Sequence, residues 1–318
     1  MNPVAAIFNF FVLYRYSLIL ALAAASGICF FMACCTQRQI PSHISASTAL
    51  TAVVLSLILS RLVYWYSRPD QFPSIAQALL STSTERYALA GTFAGCLLAA
   101  MTAGKQAGTR KILDCMSVAG CWAIALGRLG GFFSEADRGQ IMMKLTGLPW
   151  AWPVSNASGS LEYRFATFLF QAAFAAVLGV FLAVVFLRKT SRDGEVTLLF
   201  VLCYSASQIL LDSTRYDSLY LRSNGFVSVV QVISLAALVI ALILLSIRAV
   251  KALGFRKWMI FTWISLPALL GGAGYMEYYV QRHGREAAFS YSVMGIFLTV
   301  IVVIGILLWR ASLEEMND

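Results

Sequence analysis

Long apolar runs, repeated along the whole chain, constrain its fold more than any other feature of the sequence. Nine of them are long enough to cross about 30 Å of hydrocarbon. Inside a bilayer only helices and closed barrels satisfy their own backbone hydrogen bonds, so we expect these runs to be helices. The second, sixth and eighth runs are short or carry polar residues, and they also suit re-entrant segments. The predicted spans are residues 12–34, 49–66, 86–103, 113–133, 163–187, 194–211, 224–247, 256–275 and 289–309.

The composition supports the same fold class. Of the 318 residues, 59% are hydrophobic and only 12% are charged, and the mean hydropathy is +0.76. Soluble globular proteins of this size are less apolar and more charged. We therefore expect an all-α, polytopic integral membrane protein, built as a bundle of about nine transmembrane helices with a small external cap at about residues 134–162.

The excess of basic residues indicates a membrane partner rather than nucleic acid. The chain has 24 Lys and Arg against 15 Asp and Glu, a net charge of +9, spread over short connections. Because cytoplasmic loops are enriched in Lys and Arg, we expect the N-terminus outside, the C-terminus in the cytoplasm, and residues 67–85, 134–162 and 276–288 outside. The basic connections are marked by Lys105, Arg110 and Lys111, by Arg188, Lys189 and Arg192, and by Arg248, Lys251, Arg256 and Lys257.

Cysteine and histidine usage indicates neither a disulfide framework nor a metal site. The seven cysteines lie within or against apolar runs and form no spaced pairs with the two histidines, His43 and His283. We therefore expect no metal and no cofactor. The run at 12–34 ends in Phe31-Met-Ala-Cys34, which loosely resembles a lipoprotein cleavage box, but its length favours a retained helix.

Arg128 is the leading candidate for a functional polar residue within the apolar runs. It stands in an apolar run between Gly127 and the pair Gly130 and Gly131. A buried, unpaired charge costs at least about 3 kcal/mol in a membrane, so this arginine needs an anion or a watery cavity. The glycines allow a lipid headgroup or a second helix to approach closely. The alternative is an arginine that extends to the membrane surface beside small residues that only help helices pack.

Other polar side chains interrupt the apolar runs. Asp212 lies four residues after Gln208 and three before Arg215, so all three can share one helical face. Asp212 and Arg215 either neutralise each other at the outer interface or join Arg61 and Arg128 in a pocket for a phosphodiester. The remaining candidates are Arg15, Tyr16, Tyr64, Gln171, Gln231 and Ser234.

Over residues 10–240 the chain resembles the bacterial prolipoprotein diacylglyceryl transferase family. The strongest likeness is Gly127-Arg-Leu-Gly-Gly-Phe-Phe133 followed by Gly139, which is similar to the family signature Gly-Arg-Ile-Gly-Asn-Phe-Ile and its later glycine. Weaker likenesses lie in the same order on successive runs. They are Tyr14-Arg-Tyr-Ser-Leu18, Arg61-Leu-Val-Tyr64, Leu169-Phe-Gln171, the Gln208, Asp212 and Arg215 spacing, and Val230-Gln-Val-Ile-Ser-Leu235.

The departures from the family pattern are as informative as the matches. The family histidine position falls in Ala90-Gly91-Thr92, its signature asparagine is Gly131, and Gln171 and Gln208 replace a glutamate and an arginine. Glu135 stands one position from the family's loop glutamate. The usual seven-helix architecture also ends before residue 250. We therefore expect a transferase-like domain at 1–250, and two additional helices with a short cytoplasmic tail at 251–318.

The resemblance implies a phospholipid-dependent transferase of the bacterial inner membrane. Its implied substrates are phosphatidylglycerol and a prolipoprotein with a lipobox cysteine. Arg128, Asp212 and Glu135 are the implied catalytic residues, with Tyr87 as another possible base. The implied substrate-binding residues are Tyr16, Arg61, Gly127, Gly130, Gly131, Gly139, Gln208, Arg215 and Gln231.

Two other classes of function remain open on the sequence alone. A non-catalytic lipid-binding or assembly protein could retain the fold and the phosphate-binding residues without the family histidine. A small-solute transporter is disfavoured, because the sequence shows neither an inverted repeat nor a pair of broken helices.

Overall fold

The computed structural model describes residues 3–72, 74–80, 87–134, 138–142, 151–155, 159–188, 192–216, 218–221, 224–283 and 287–313. The described helices are α1 (Pro3–Gln37), α2 (Ser42–Ser67), α3 (Ile75–Leu80), α4 (Leu89–Ala107), α5 (Thr109–Leu129), α6 (Thr167–Phe186), α7 (Glu195–Ser213), α8 (Val229–Leu253), α9 (Lys257–His283) and α10 (Ala287–Ala311). Short 3-10 turns follow α2 at Pro69–Gln71 and α5 at Gly130–Phe132. Two antiparallel hairpins complete the described structure, β1 (Ala151–Ser155) with β2 (Leu161–Phe165) and β3 (Tyr220–Leu221) with β4 (Asn224–Ser228).

The predicted fold class is confirmed. Eight of the described helices, all except α3 and α4, are long and apolar enough to cross a membrane. The remaining predicted span, at 86–103, coincides with most of α4, which ends in the polar residues Lys105 and Gln106. The chain is therefore an all-α, polytopic membrane protein.

The connections differ from the sequence prediction in three places. The predicted external loop at 276–288 is mostly helix, because α9 continues to His283. The predicted span at 163–187 begins as strand β2, and its helix starts only at Thr167, because Leu161–Phe165 pairs with β1 as an antiparallel strand. Helix α7 ends at Ser213, so Arg215 lies beyond it and does not share a helical face with Gln208 and Asp212.

The described chain forms two compact units. The first contains residues 1–196 and 214–219, and the second contains residues 197–213 and 220–318. The predicted boundary at residue 250 marks where the additional helices begin. The two compact units are defined differently, by contacts, so this boundary stays a prediction.

Small residues let the helices of the first unit approach closely. Gly91 and Gly95 of α4 lie directly against the backbone of α2, and a Cβ on Gly95 would stand 2.6 Å from Cα of Ser56. A Cβ on Gly179 of α6 would meet Cβ of Cys121 in α5 at 3.1 Å. Such close approach is typical of helices that pack within membranes.

The second unit packs α8, α9 and α10 together with most of α7. A Cβ on Gly305 of α10 would meet the side chain of Leu202 in α7 at 2.5 Å. The indole of Trp263 in α9 donates a hydrogen bond to Ser246 of α8 at 3.1 Å, and the hydroxyl of Tyr291 in α10 donates to the carbonyl of Ser213 at 3.1 Å. The last contact places the end of α7 beside the start of α10.

Candidate functional site

Arg128 lies in the last turn of α5, immediately before the chain tightens into the turn at Gly130–Phe132. The side chain is half-buried. A cation is stabilised at this end of a helix, because the last carbonyl groups leave a partial negative charge there. The structure therefore places the predicted arginine where an irregular, glycine-rich segment begins.

The glycines around Arg128 bring α5 against α1. A Cβ on Gly130 would stand 3.2 Å from the ring of Tyr16, and a Cβ on Gly127 would stand 3.7 Å from the side chains of Leu20 and Ala23. Of the two alternatives, a headgroup or a second helix, the observed neighbour of these two glycines is a helix. Gly131 is buried as well.

An aromatic cluster connects the end of α5 to the first hairpin and to α6. The ring of Phe132 lies 5.1 Å from that of Trp152 in β1 and 4.8 Å from that of Phe168 in α6, each edge to face. Arg15 of α1 covers the next ring, with its guanidinium 4.7 Å from the centre of Phe133. These contacts fix the position of the turn that follows Arg128.

Gly139 sits where three segments meet. Its N–H donates to the carbonyl of Phe165 at 2.7 Å, and the residue forms a β-bridge with Arg215. A Cβ here would lie 2.5 Å from the hydroxyl of Thr167 and 2.8 Å from the carbonyl of Thr214. The hydroxyls of these two threonines are themselves 2.9 Å apart. Position 139 therefore has no room for a larger residue, so packing alone explains why a glycine is needed there.

Two further arginines, Arg138 and Arg164, lie close to the segment of Arg215 and Tyr216, and neither was predicted from the sequence. Arg138 is buried, and its carbonyl accepts a hydrogen bond from the N–H of Tyr216 at 3.2 Å. The guanidinium of Arg164 lies 4.2 Å above the ring of Tyr216 and 3.6 Å from the carboxylate of Glu162. Arg138 directly precedes Gly139, which resembles a glycine of the family pattern, and this position could have marked Arg138 as a candidate. The segments that carry Arg138, Arg164 and Arg215 therefore meet at this place.

Arg61 and Tyr87 come together at the end of α2. Arg61 is 4% exposed, and its guanidinium stands 4.0 Å above the ring of Tyr87, just before α4 begins. The N–H of Ala88 donates to the carbonyl of Ser60 at 3.2 Å and holds this entry to α4 in place. A cation over an aromatic face at this distance is stabilised by the ring quadrupole.

Gln171 is a buried amide one turn into α6. It is 2% exposed, and neither its amide oxygen nor its amide nitrogen has a hydrogen-bond partner among the residues that the structure describes. Burying an amide without partners is unfavourable by about 1–3 kcal/mol. The position is the one at which the family resemblance expects a carboxylate.

Asp212 lies in the second unit, one residue before the end of α7, and its carboxylate lies beside the N-terminus of α8. It is 2% exposed and accepts a hydrogen bond from the hydroxyl of Ser228. That hydroxyl also accepts from the N–H of Gln231 at 3.0 Å, and the N–H of Ser228 donates to the amide oxygen of Gln231 at 3.0 Å. The pair forms a capping box, which the spacing Ser-x-x-Gln before an apolar run could have revealed.

These contacts give Asp212 and Gln231 a structural function. The carboxylate faces a helix N-terminus, where negative charge is favourable. The amide nitrogen of Gln231 donates to the carbonyl of Ile209 at 3.3 Å, so both ends of that amide are engaged. Gln208 is buried in the same helix as Asp212. Their predicted catalytic and substrate-binding roles stay predictions.

Glu135 lies outside the described residues, as does the side chain of His283. Within the described part of the chain, no group of three or more His, Cys, Asp or Glu side chains is placed to hold a metal ion.

Comparison with known proteins places this arrangement in a family. The sequence model of the family described as prolipoprotein diacylglyceryl transferase matches residues 3–247. The match ends within α8, so α9 and α10 lie beyond it.

Bacterial relatives with one shared name agree with this match, and that name is phosphatidylglycerol–prolipoprotein diacylglyceryl transferase. The protein from Bacillus velezensis is 22% identical over 264 residues, 81% of this chain and 96% of the relative. The one from Shouchella clausii is 26% identical over 238 residues, 71% of this chain and 84% of the relative. A Clostridium botulinum protein is 26% identical over 249 residues, 76% of this chain and 96% of the relative. The chain belongs to the prolipoprotein diacylglyceryl transferase family, a family of membrane-embedded transferases.

Proposed function

We propose that this chain transfers the diacylglyceryl group of phosphatidylglycerol to the thiol of a lipobox cysteine in a prolipoprotein. The family match over residues 3–247 supports the reaction class, and the names of the relatives supply the substrates. The observation that carries the proposal is Arg128, which stands at the glycine-rich end of α5 and which the sequence resemblance matches to the signature arginine of the family.

The proposed reaction is a displacement at carbon. The sulfur forms a bond to the glycerol carbon that carries the phosphate, and the bond from that carbon to oxygen breaks. Its electron pair leaves with the phosphate, so glycerol phosphate is released, and the thiol proton passes to a base or to water. Negative charge therefore gathers on the phosphate as the reaction proceeds.

Arginine suits this charge better than lysine. The planar guanidinium donates two parallel hydrogen bonds to phosphate oxygens and stays protonated, so it stabilises the leaving group without supplying a proton. We propose that Arg128 binds the phosphate, and that Arg61, Arg215 and Tyr16 contribute to the lipid site. We further propose that Arg138 and Arg164, which lie close to Tyr216 and the Arg215 segment, add to the attraction for an anionic headgroup.

The family histidine is absent at Ala90, so the activation of the thiol needs another explanation. Positive charge near a thiol favours the thiolate, and an arginine-lined site supplies that charge. We propose this electrostatic activation, with Glu135 or Tyr87 as proton acceptor. The buried amide of Gln171 has both a donor and an acceptor to offer, and we propose that it meets a polar group of the substrate or a bound water.

We further propose that the site opens to the outer side of the bacterial inner membrane. The basic connections between helices support a cytoplasmic C-terminus and an external cap by the positive-inside bias. Phosphatidylglycerol reaches such a site laterally from the bilayer.

Purified full-length protein in vesicles tests the proposal directly. The substrates are phosphatidylglycerol labelled in its acyl chains and a lipobox peptide, and the control peptide has Ser in place of the acceptor cysteine. We expect label on the cysteine peptide, none on the serine peptide, and release of glycerol phosphate in equal amount. If the protein binds phosphatidylglycerol but produces neither labelled peptide nor glycerol phosphate, the proposed transferase activity is contradicted.

One observation favours a second candidate, a lipid-binding protein without catalysis. Ala90 and Gln171 replace groups that can move protons with groups that cannot. Such a protein would retain affinity for phosphatidylglycerol in the vesicle assay and would not rescue growth of a transferase-deficient strain.

A further inference from the structure

A groove in the second unit has no place in the proposed reaction. It has a volume of about 160 Å³ and runs between α7, α8, α9 and α10, close to the capping box at Ser228. Its walls are mainly aliphatic, formed by Ile209, Val232, Leu235, Leu270, Met294 and Leu298. Val232 and Leu235 are each 42% exposed, so the groove opens on the surface of the unit.

Among the residues that the structure describes, one carboxylate lines this groove. Glu277 of α9 is only 6% exposed. Its Oε1 atom accepts a hydrogen bond from the amide of Gln281 at 3.2 Å. In the part of the chain that the structure describes, the buried Oε2 atom has no hydrogen-bond partner. A buried carboxylate oxygen without a donor is strongly unfavourable, so this atom is a candidate acceptor for a proton donor on a bound molecule.

The other polar residue of the groove cannot supply that donor. Gln231 also lines the groove, but its amide oxygen is bonded to the N–H of Ser228 and its amide nitrogen to the carbonyl of Ile209. The available polar atom is therefore an acceptor that carries negative charge. A phosphate or a carbonyl would be repelled, whereas a protonated amine supplies both the proton and the opposite charge.

The size of the groove limits what can bind in it. A volume of about 160 Å³ suits a short aliphatic stem and is too small for a helix of about 10 Å diameter.

We propose that this groove binds a primary ammonium group on an aliphatic stem, with the ammonium donating to Oε2 of Glu277. The ethanolamine headgroup of a phospholipid and a free alkylamine share this chemistry. The site uses a helix beyond the range matched by the family, and its occupation does not depend on transferase activity.

Native mass spectrometry of the full chain in detergent separates the two sources. The lipid arm compares phosphatidylethanolamine, phosphatidylcholine and phosphatidylglycerol with the same acyl chains, and the free-amine arm uses hexylamine. Phosphatidylcholine is the decisive control, because its ammonium carries the same charge but no N–H donor. We expect binding of phosphatidylethanolamine on the order of tenfold tighter than of phosphatidylcholine, or the same Glu277-dependent preference for hexylamine if the source is a free amine.

Three variants assign the binding to this groove. Glu277→Gln keeps the shape and removes the charge, and Gly274→Leu fills the groove, since a Cβ at Gly274 meets no atom within 4 Å. Both should abolish the preference. Gly271→Leu on the same helix is equally open but does not line the groove, and it should bind as wild type. Equal binding of phosphatidylethanolamine and phosphatidylcholine with no bound hexylamine, or an undiminished preference in Glu277→Gln, would overturn the proposal.

Discussion

Gln171 and Gln231 are both buried glutamines, but they differ in whether their amide groups have hydrogen-bond partners. Gln171 is 2% exposed and has no partner for either amide atom among the described residues, whereas Gln231 is 6% exposed and uses both ends of its amide. Sequence reasoning treated both as candidate polar residues of a site. The structure distinguishes an amide without a partner among the described residues from one that holds a helix terminus.

Replacing each glutamine by leucine should change stability in opposite directions. Gln171→Leu removes an unsatisfied buried amide and should raise the midpoint of thermal unfolding by a few degrees, with loss of transfer if the amide meets the substrate. Gln231→Leu removes the hydrogen bonds to the N–H of Ser228 and to the carbonyl of Ile209 and should lower the midpoint. Thermal unfolding of purified protein in detergent gives both values. A fall of similar size in both variants would show that Gln171 is satisfied within the protein.

Asp212 should be energetically coupled to Ser228. Asp212→Asn weakens a charged hydrogen bond, with an expected cost of about 1.5–3 kcal/mol, and Ser228→Ala removes the helix cap, with a cost of about 1 kcal/mol. Because both changes break the same contact, the double variant should lose less stability than the two single losses added together. Asp70→Asn, at an exposed position, is the matched control and should be neutral. Normal stability of Asp212→Asn with loss of transfer would instead favour the predicted catalytic role.

At the scale of elements, the contact between α2 and α4 depends on glycine. Gly91 and Gly95 face the α2 backbone so closely that any side chain would force the helices apart. Close approach of this kind lets the backbones of two membrane helices pack directly, so the small residues of α4 stabilise its contact with α2.

Gly95→Leu should reduce the yield of folded protein severely. A Cβ there would stand 2.7 Å from the carbonyl carbon of Leu55, so the two helices would have to separate. Gly120→Leu in α5 is the matched control, since no atom lies within 4 Å of its Cβ position. Size-exclusion chromatography in detergent measures the folded fraction. Wild-type recovery of Gly95→Leu would contradict the observed packing.

Elements set by hydrophobic length were predictable, and elements set by local polar contacts were not. Eight apolar runs were correctly identified as helices that can cross a membrane, because bilayer thickness fixes their length. Strands β1 and β2 were missed, since five-residue segments next to a long apolar run carry little periodic signal of their own. Arg215 was placed on a helix because the apolar pattern does not show where α7 ends. Within the candidate site, the family signature predicted a role for Arg128 that stays a prediction, while the structural reasons for Gly127, Gly130 and Gly139 required neighbours distant in sequence.

For the whole molecule, orientation is the prediction on which the proposed function depends. Ser155→Cys in the cap should react with a membrane-impermeant thiol reagent from outside intact cells, and Ser191→Cys, between the basic residues that follow α6, should not. A background without the native cysteines removes competing reaction. Permeabilised cells should label Ser191→Cys and provide the control. The reverse pattern would place the site on the cytoplasmic side and remove its access to exported prolipoproteins.

The central claim is that Arg128 binds the phosphate of phosphatidylglycerol during transfer to a cysteine. The most direct measurement is the transfer rate in vesicles for wild type, Arg128→Lys and Arg128→Ala, with thermal stability recorded for each and Arg110→Lys, at the other end of α5, as the matched control. Lysine retains the charge but loses the two parallel hydrogen bonds, so Arg128→Lys should be roughly ten- to a hundredfold slower at unchanged stability, while Arg110→Lys matches wild type. Equal rates for wild type and Arg128→Lys would contradict the account and leave Arg128 as a membrane-surface anchor.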